Sequence, residues 1–353
     1  MTTPHEVALL RLVAQRIAGP GLAAPVDVVR RLTAVQGQEF PGAVTSVALR
    51  TRSRLRKDVE AALDAGEIVR SWPMRGTLHL IPAEDLPWLL DLLAPRMLAS
   101  SAGRRAGLGL DEATYVRARE LTEATLSGGR RLRRRALVNS WAAAGVSVEG
   151  QRGAHLIGQL AQSGVICLGP LDGAEQCFVL LDEWIRHPRR LDRDEALREL
   201  ALRFFTGHGP ATVADLARWT ATTLRDARAG LGAARSELAV VEVDGVEHFL
   251  DQRTPDVLAD HRSEARGVFL LPGFDEYVLG YGDRSAVLDP GFADHIVPGG
   301  NGMFRPTVVH DGRIVGTWGW TGRGARREVT ATPFTRFADD VAAAIPQLAA
   351  ALP

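Results

Sequence analysis

Apolar residues recur every three or four positions along much of the chain, a period typical of helices that pack on a core. Val7, Leu10, Val13 and Ile17 show this spacing and predict a first helix over residues 5–18. The same period predicts helices over residues 25–36, 41–49, 55–65, 83–100, 111–126, 132–144, 151–163, 195–205, 213–219, 223–231 and 337–350. Alternation with a period of two predicts strands over residues 67–72, 77–81, 165–168, 176–181, 238–243, 246–250, 268–271, 307–310, 313–318 and 327–332.

Helices followed by a β-hairpin occur three times in succession, although the repeated segments share little literal sequence. The first repeat has the outline of a winged helix, with a recognition helix at residues 55–65 and a wing that carries Arg75. Asp172-Gly173 is a type I′ turn signal in the second hairpin, and Asp244-Gly245 joins the strands of the third. We therefore expect an α+β fold with winged-helix domains at residues 1–102, 103–188 and 189–262, a Gly/Arg linker at 103–109, and a β-rich part at 263–353 that a last helix closes.

The composition is that of an ordinary globular protein, with 353 residues of which 46% are hydrophobic and 24% are charged. Residues 1–6 lack the basic-then-apolar order of a signal peptide, and no apolar run is long enough to span a bilayer. Nothing else in the sequence supports a disulfide or a metal site at Cys167 and Cys177, so we expect reduced thiols. The sequence thus predicts a cytoplasmic, nucleoid-associated monomer.

Positive charge is clustered although the chain is neutral overall, with 42 basic residues against 42 acidic ones. Lys57 is the only lysine, and it lies in a run that includes Arg50, Arg52 and Arg54, while a second run occupies residues 130–135. GC-rich codon usage explains why arginine replaces lysine, but it does not explain the clusters. Basic patches bind phosphates, so we expect binding to double-stranded DNA that weakens with salt and depends little on sequence.

Two glutamines, Gln36 and Gln38, follow the second predicted helix. The apolar face of that helix, with Val29 and Leu32, continues to Gln36, and Gly37 then permits a left-handed stop. If the chain runs extended from there, both glutamine side chains point the same way, and their amides can hold a water molecule or a polar ligand edge. The alternative, which is the more frequent role of such a pair, is that the glutamines cap the helix end in solvent.

Several common catalytic patterns are absent, namely HExxH, paired CxxC, Walker A and the nucleophile elbow. Lys57 lies in a run of arginines that we expect to be solvated, which argues against Schiff-base chemistry. Asp275 and Glu276 are adjacent and would point to opposite faces of a strand, so we do not expect a paired-carboxylate site. His79 and His155 are isolated in the sequence. No metal or cofactor is expected.

Four motifs, in the same chain order, resemble those of the tandem winged-helix DNA glycosylases, the group that includes AlkZ-type azinomycin-resistance and YcaQ-type crosslink glycosylases. They are Gln36-Gly37-Gln38, MRGTLH at residues 74–79, LPGFDEY at 271–277 and GRIVGTW at 312–318. The resemblance covers almost the whole chain. It departs from the family pattern at Gly37, where the family prefers an aliphatic residue.

This resemblance implies three winged-helix domains in a C-shaped arrangement around a DNA cleft. It also implies excision of N-alkylated purines, including the unhooking of interstrand crosslinks, with Gln36 and Gln38 positioning the hydrolytic water. The side chains expected to contact DNA are Arg50, Arg52, Arg54, Arg75, His79, Arg133 and Arg323.

The chemistry is coherent with two glutamines. Glutamine cannot deprotonate water, but an N7-alkylated purine is already cationic and departs as a neutral base while the sugar becomes oxocarbenium-like. The site then needs to orient a water at C1′ and to stabilise positive charge through amide oxygens. We therefore expect a monofunctional DNA glycosylase, active in DNA repair or in self-resistance to a genotoxin. The rival interpretations are a non-enzymatic winged-helix transcription regulator and a protein-interaction scaffold, and the arginine clusters disfavour the scaffold.

Overall fold

The computed structural model describes residues 2–322 and 327–353. The chain divides into two compact units, unit 1 formed by residues 1–59 together with 197–353, and unit 2 formed by residues 60–196. None of the described helices is long and apolar enough to cross a lipid bilayer. Arg323 belongs to the segment outside the described residues. The finer division into three winged-helix domains and a β-rich part stays a prediction.

The elements follow the chain in the order that the hydrophobic pattern predicts. The helices are α1 (Pro4–Ala14), α2 (Pro25–Arg31), α3 (Phe40–Leu49), α4 (Arg56–Asp64), α5 (Leu86–Ser100), α6 (Ala102–Gly107), α7 (Glu112–Leu126), α8 (Arg134–Ala143), α9 (Arg152–Gln162), α10 (Leu181–Trp184), α11 (Arg193–His208), α12 (Val213–Thr220), α13 (Leu224–Ala234), α14 (Thr254–Ala265), α15 (Glu276–Leu279), α16 (Ala293–Ile296) and α17 (Asp339–Ala350). The strands are β1 (Val35–Gln36), β2 (Ile68–Met74), β3 (Thr77–Pro82), β4 (Leu132–Arg133), β5 (Ile166–Asp172), β6 (Glu175–Leu180), β7 (Leu238–Val243), β8 (Val246–Asp251), β9 (Val268–Leu271), β10 (Thr307–His310), β11 (Arg313–Thr321) and β12 (Glu328–Pro333). Short 3-10 turns occupy Ala83–Asp85, Arg235–Glu237, Pro290–Phe292 and Pro298–Gly300.

In unit 1 the first helix packs among segments from the last part of the chain. Thr3 caps α1, and the helix has buried apolar residues around most of its circumference. Leu9 and Leu12 belong to one buried cluster with Leu258, Tyr277 and Ile314. Such burial removes several large apolar side chains from water, each worth about 1.5–3 kcal/mol. The N-terminal segment is therefore an integral part of the unit 1 core.

Two sheets complete unit 1. The first is an antiparallel sheet with the strand order β12-β11-β10-β9, and Val341 of α17 packs with Leu270, Val308 and Trp318 of that sheet. The second is the β7-β8 hairpin, in which Asp244 and Gly245 have φ angles of 50° and 77°. Positive φ at both central residues is the requirement of a type I′ turn, and this hairpin meets it. The type I′ turn predicted at Asp172-Gly173 is wrong, because Gly173 (φ 65°) has a positive φ and Asp172 does not.

Unit 2 contains the antiparallel strands β3-β2-β5-β6-β4 and a core of its own. Trp141, Leu156 and Phe178 are among the buried residues of that core. At the tip of the β2-β3 hairpin, Arg75 and Gly76 have φ angles of 56° and 66°, which gives another type I′ geometry. The hairpin with arginine at its tip is therefore confirmed.

The structure differs from several local predictions. α2 ends at Arg31 and does not reach the glutamines. The segment predicted as a Gly/Arg linker forms α6, because the arginines and alanines between its glycines favour helix, and Gly109 (φ 65°) follows its end. Helix α14, which contains a kink at His261, was not predicted.

Candidate active site

The two glutamines lie on a strand and in the bend after it, and not at a helix end. Thr33 takes the left-handed conformation after α2 (φ 67°), and Gln36 is the last residue of β1. Gln36 is buried, with 8% of its surface exposed, whereas Gln38 is exposed. The prediction that Gly37 stops the helix is wrong, because the chain has already left the helix at Thr33. A helix-capping role for Gln36 therefore does not apply.

Helix α3 begins at Phe40, two residues after Gln38, and fixes the end of this segment. Glu39 is the N-cap residue, and its Oε2 accepts a hydrogen bond from the Gly42 N–H at 2.5 Å. A Cβ atom on Gly42 would lie 3.4 Å from the Gly273 carbonyl oxygen, so the first turn of α3 lies close to Gly273. Gln38 is thus held between a strand and a capped helix N-terminus.

The main support of the segment is Glu276, whose side chain is fully buried. Its Oε1 accepts a hydrogen bond from the backbone N–H of Gln36 at 2.9 Å, and its Oε2 accepts one from Trp219 Nε1 at 2.9 Å. Hydrogen bonds to a charged acceptor are stronger than those between neutral groups. Glu276 therefore fixes the backbone from which the first glutamine extends.

A buried imidazole lies beside this carboxylate. His208 Nε2 is 3.5 Å from Glu276 Oε2, and both side chains have no exposed surface. The His208 ring stacks on Phe204, with 4.7 Å between ring centroids, and neither ring nitrogen has a hydrogen-bond partner among the described residues. His208 and Trp219 thus both lie against Oε2 of the buried Glu276 carboxylate.

A second buried carboxylate anchors the other end of α3. Asp275 accepts hydrogen bonds from Arg50 Nη1 and Nη2 at 2.9 and 2.8 Å and from Ser46 Oγ at 2.7 Å. Arg50 Nε also donates to the carbonyl oxygen of Gln15 at 2.9 Å. The adjacent residues Asp275 and Glu276 therefore hold α3 and β1 respectively. The assumption that they lie on a strand is wrong, because Asp275 is the N-cap of α15.

Burial changes the interpretation of Arg50. The sequence predicts that it contacts DNA phosphate, but its side chain has no exposed surface and forms an ion pair with Asp275. The structure gives it a role in the core instead. Arg52 and Arg54, which lie just beyond α3, are exposed as the prediction requires. Arg52 Nε donates to the Gly21 carbonyl oxygen at 3.1 Å and leaves the rest of the guanidinium accessible.

In unit 2 the β2-β3 hairpin brings Arg75 and His79 together. His79 Nδ1 is 2.9 Å from the Thr77 carbonyl oxygen, and its Nε2 is 2.9 Å from Arg75 Nη2. This geometry corresponds to a neutral imidazole that donates through Nδ1 and accepts through Nε2. Since His79 is fully buried, the direct DNA contact predicted for it does not fit, and it orients Arg75.

The second arginine cluster is exposed. Arg133 Nε donates to Asp172 Oδ2 at 2.7 Å, and this bond to the carboxylate raises the pKa of Arg133. Arg131, Arg134 and Arg135 are exposed and form no salt bridge with a carboxylate in the described part of the chain, so they are better placed than Arg133 to bind phosphate.

The two cysteines of unit 2 are buried free thiols. Burial raises the pKa of Cys167 to about 12, so this thiol is unreactive near neutral pH. Residues 2–322 and 327–353 contain no group of three or more His, Cys, Asp or Glu side chains that could hold a metal ion.

Sequence reasoning missed the residues behind the glutamines, namely Glu276, Trp219 and His208. Glu276 was visible in the LPGFDEY motif, but its contact with Gln36 spans 240 positions of sequence. Trp219 and His208 carried no signal beyond their place in apolar helices.

Comparisons with known proteins agree with the motifs. The model of the family described as DNA glycosylase AlkZ-like matches residues 29–353. An interstrand DNA cross-link repair glycosylase from Streptomyces sahachiroi is 32% identical over 332 residues, which cover 87% of this chain and 84% of that protein. The solved structure of the S. sahachiroi DNA glycosylase AlkZ matches with a TM-score of 0.81 and 27% identity, over 99% of this chain and 95% of that chain. The structural match confirms a mixed fold of helices and strands.

Proposed function

The chain belongs to the AlkZ-like DNA glycosylase family, and we propose that it hydrolyses the N-glycosidic bond of N7-alkylated purines in double-stranded DNA. The observation that carries this proposal is the attachment of the Gln36 backbone to the buried carboxylate of Glu276 at 2.9 Å, next to the exposed Gln38. A pair of amides on a rigid backbone is suited to placing one water molecule. Family membership sets the non-enzymatic regulator aside.

In this mechanism the side-chain oxygens of Gln36 and Gln38 accept hydrogen bonds from the attacking water and orient its lone pair toward C1′. The same oxygens face the positive charge that develops on the sugar as the neutral base departs. No strong general base is needed, because the cationic nucleobase is a good leaving group. The water attacks only after the bond to the nucleobase is largely broken. The products are the neutral alkylated base, an abasic site with a hydroxyl group at C1′, and one proton, which the attacking water loses to the solvent.

The similar S. sahachiroi enzyme is named for interstrand cross-link repair, and we propose that this chain also acts on crosslinks joined through purine N7. Each of the two arginine runs, around Arg52 and at residues 130–135, would bind DNA phosphates without reading sequence. We propose that the protein works as a monomer on chromosomal DNA in the cytoplasm, with the three winged-helix domains predicted above. A repair role and a role in self-resistance require the same chemistry.

The test is single-turnover excision by the wild-type protein on duplexes with one 7-methylguanine or one N7–N7 crosslink. Released base and abasic sites are quantified separately. From the 7-methylguanine duplex we expect released base and abasic sites in equal amounts. From the crosslinked duplex we expect an abasic site whose excised base stays joined to the opposite strand, so that the strands separate without release of free base. Neither substrate should show strand cleavage, since a monofunctional enzyme leaves the sugar intact. Absence of abasic sites from both substrates would contradict the proposal.

Replacing Arg52 or Arg54 with alanine is expected to weaken duplex binding several-fold and equally on unrelated sequences. A lost phosphate contact also lowers the slope of log affinity against log salt by about one. Fluorescence anisotropy over a range of salt concentrations measures both quantities. A strong preference for one sequence, with an unchanged salt slope, would contradict the expectation.

The Glu276→Gln variant is expected to slow excision about tenfold while duplex affinity stays within twofold. An amide of the same size offers an NH₂ group where a carboxylate oxygen accepted a hydrogen bond, so the N–H of Gln36 or of Trp219 loses its acceptor. A buried donor without an acceptor costs about 1–3 kcal/mol. If this cost displaces the segment that carries Gln36, the excision rate falls by about 5–150-fold. Single-turnover rates and binding are measured at a temperature where both proteins are folded.

The matched control for this experiment is Glu242→Gln, at an exposed position of β7 in the same unit. It should behave as wild type. A purely structural role of Glu276 would lower the melting temperature without changing the excision rate of the folded protein, and that result would remove Glu276 from the positioning of Gln36.

A further inference from the structure

A cavity of about 600 Å³ lies in unit 1, beside the segment that supports the glutamines. Its apolar wall includes Val278, Leu288, Ile296 and Phe304, and two arginines, Arg218 and Arg284, also line it. Asp294 is the acidic residue in this lining, and its Oδ1 accepts a hydrogen bond from the Gly299 N–H at 2.6 Å. The site thus combines an apolar surface with an excess of positive charge.

Backbone contacts hold both arginines in place. Arg284 Nε donates to the Val278 carbonyl oxygen at 2.8 Å, and its guanidinium lies 5.3 Å from the centroid of the Phe304 ring. Arg218 Nη1 donates to the Tyr281 carbonyl oxygen at 3.1 Å. In residues 2–322 and 327–353 neither arginine forms a salt bridge with a carboxylate. Two guanidinium groups that face one cavity without a carboxylate partner are suited to binding the same anion together.

The nearby acidic residue of α12, Asp215, does not serve as a carboxylate partner for these two arginines. Asp215 Oδ2 accepts hydrogen bonds from the Thr212 N–H and hydroxyl, each at 2.9 Å, and its Oδ1 accepts one from the Gly282 N–H at 2.8 Å. Its acceptor capacity is directed to the capping box of α12 and to the loop after Tyr281. The positive charges of Arg218 and Arg284 therefore remain available to an incoming group. Partial burial, followed by the proximity of Arg218, lowers the pKa of Arg284.

The cavity is connected to the glutamine segment through Gly273. A Cβ atom on Gly273 would lie 2.6 Å from the Phe304 carbonyl oxygen, and the Gly273 carbonyl oxygen faces the first turn of α3 next to Gly42. Val278, which lines the cavity, follows two residues after Glu276 in α15. The cavity is therefore connected by packed backbone, through Phe304 and Gly273, to the first turn of α3, the helix that follows Gln38.

We propose that this cavity binds a phosphodiester group of the DNA strand that carries the lesion, with the phosphate on Arg218 and Arg284 and the adjoining deoxyribose against the apolar wall. This assignment rests on the DNA substrate proposed above. A polymer can reach the site, because Arg218, Gly300 and Gly302 at its edge are exposed. The contact would set the register of the strand relative to Gln36 and Gln38, as phosphate contacts do in other DNA-binding proteins.

The experiment compares Arg284→Ala and Arg218→Ala with the control Arg225→Ala, an exposed arginine on α13 of the same unit. Affinity for an undamaged 20-base-pair duplex is measured by anisotropy at several salt concentrations. We expect each cavity variant to bind about tenfold more weakly than the control and to lose about one unit of salt slope. Because no excision takes place on this duplex, the result does not depend on whether the protein releases alkylated bases.

A second arm separates DNA from a free nucleotide as the source of the phosphate. Thermal melting is recorded with deoxythymidine monophosphate and with inorganic phosphate, each at millimolar concentration. Stabilisation by the nucleotide that Arg284→Ala abolishes, together with unchanged duplex affinity, would overturn the DNA assignment in favour of a small-molecule site. Equal duplex binding by both cavity variants and the control would also overturn it. Should Arg284→Ala fail to fold, Arg218→Ala decides, because its side chain is exposed.

Discussion

Replacing Gln38 with alanine is expected to slow the excision of 7-methylguanine from duplex DNA by about 10²–10³-fold, with little change in stability or in DNA affinity. Gln38 is exposed between β1 and α3, so the loss of its side chain leaves no large cavity. What disappears is an amide oxygen that would orient the water and face the charge on the sugar. A group that acts in the transition state lowers the rate without weakening the ground-state complex.

The decisive measurement is the single-turnover rate constant at saturating enzyme, with duplex affinity and melting temperature recorded on the same preparations. Gln36→Ala should show a similar loss of rate, accompanied by a moderate loss of stability because Gln36 is buried. Gln347→Ala, at an exposed position of α17, is the matched control. If the variant with both Gln36 and Gln38 replaced kept full activity, the water-orienting assignment would be wrong, and the hydrolytic group would have to lie elsewhere.

The hydrophobic period of the sequence predicted the hairpins and every helix of seven or more residues except α14, because those elements are decided largely by neighbouring residues. Prediction from neighbouring residues fails where contacts with distant parts of the chain decide the conformation. Thr33, and not Gly37, takes the left-handed conformation after α2. The left-handed conformation costs more free energy for threonine than for glycine, so local preference favours Gly37 as the helix stop. The chain nevertheless leaves the helix at Thr33, which allows Ala34 and Val35 to be buried.

The limit of prediction from local sequence is clearest in the candidate site. Arg50 and Arg52 are two positions apart in one basic run, yet the first is fully buried and the second is exposed. The difference comes from Asp275, which lies 225 positions along the chain from Arg50. Glu276 holds Gln36 from a similar sequence distance. No local pattern carries such pairings, so the sequence pointed to the glutamines as candidates but could not show that two carboxylates hold the backbone around them.

Replacing Arg50 with alanine is expected to lower the free energy of unfolding by about 3–5 kcal/mol, the loss found when one partner of a buried ion pair is removed. The substitution leaves Asp275 charged and buried with Ser46 Oγ and the Tyr277 N–H as its remaining donors, and it leaves the Gln15 carbonyl oxygen without the Arg50 donor. Denaturant titration followed by circular dichroism measures the loss. Arg336→Ala is the control, because Arg336 pairs with Asp339 at the surface, where such pairs contribute little.

The Arg50→Lys variant separates the core role from a role at the DNA interface. Lysine keeps the positive charge, but a single ammonium cannot replace the planar fork that reaches both Asp275 oxygens and Gln15 at once. We therefore expect an intermediate loss of stability, with duplex affinity and salt slope equal to those of wild type wherever the variant is folded. A variant as stable as wild type that binds DNA weakly would return Arg50 to the interface. A loss of stability with unchanged binding fits a guanidinium that contacts only protein, since a lost phosphate contact would have reduced the salt slope.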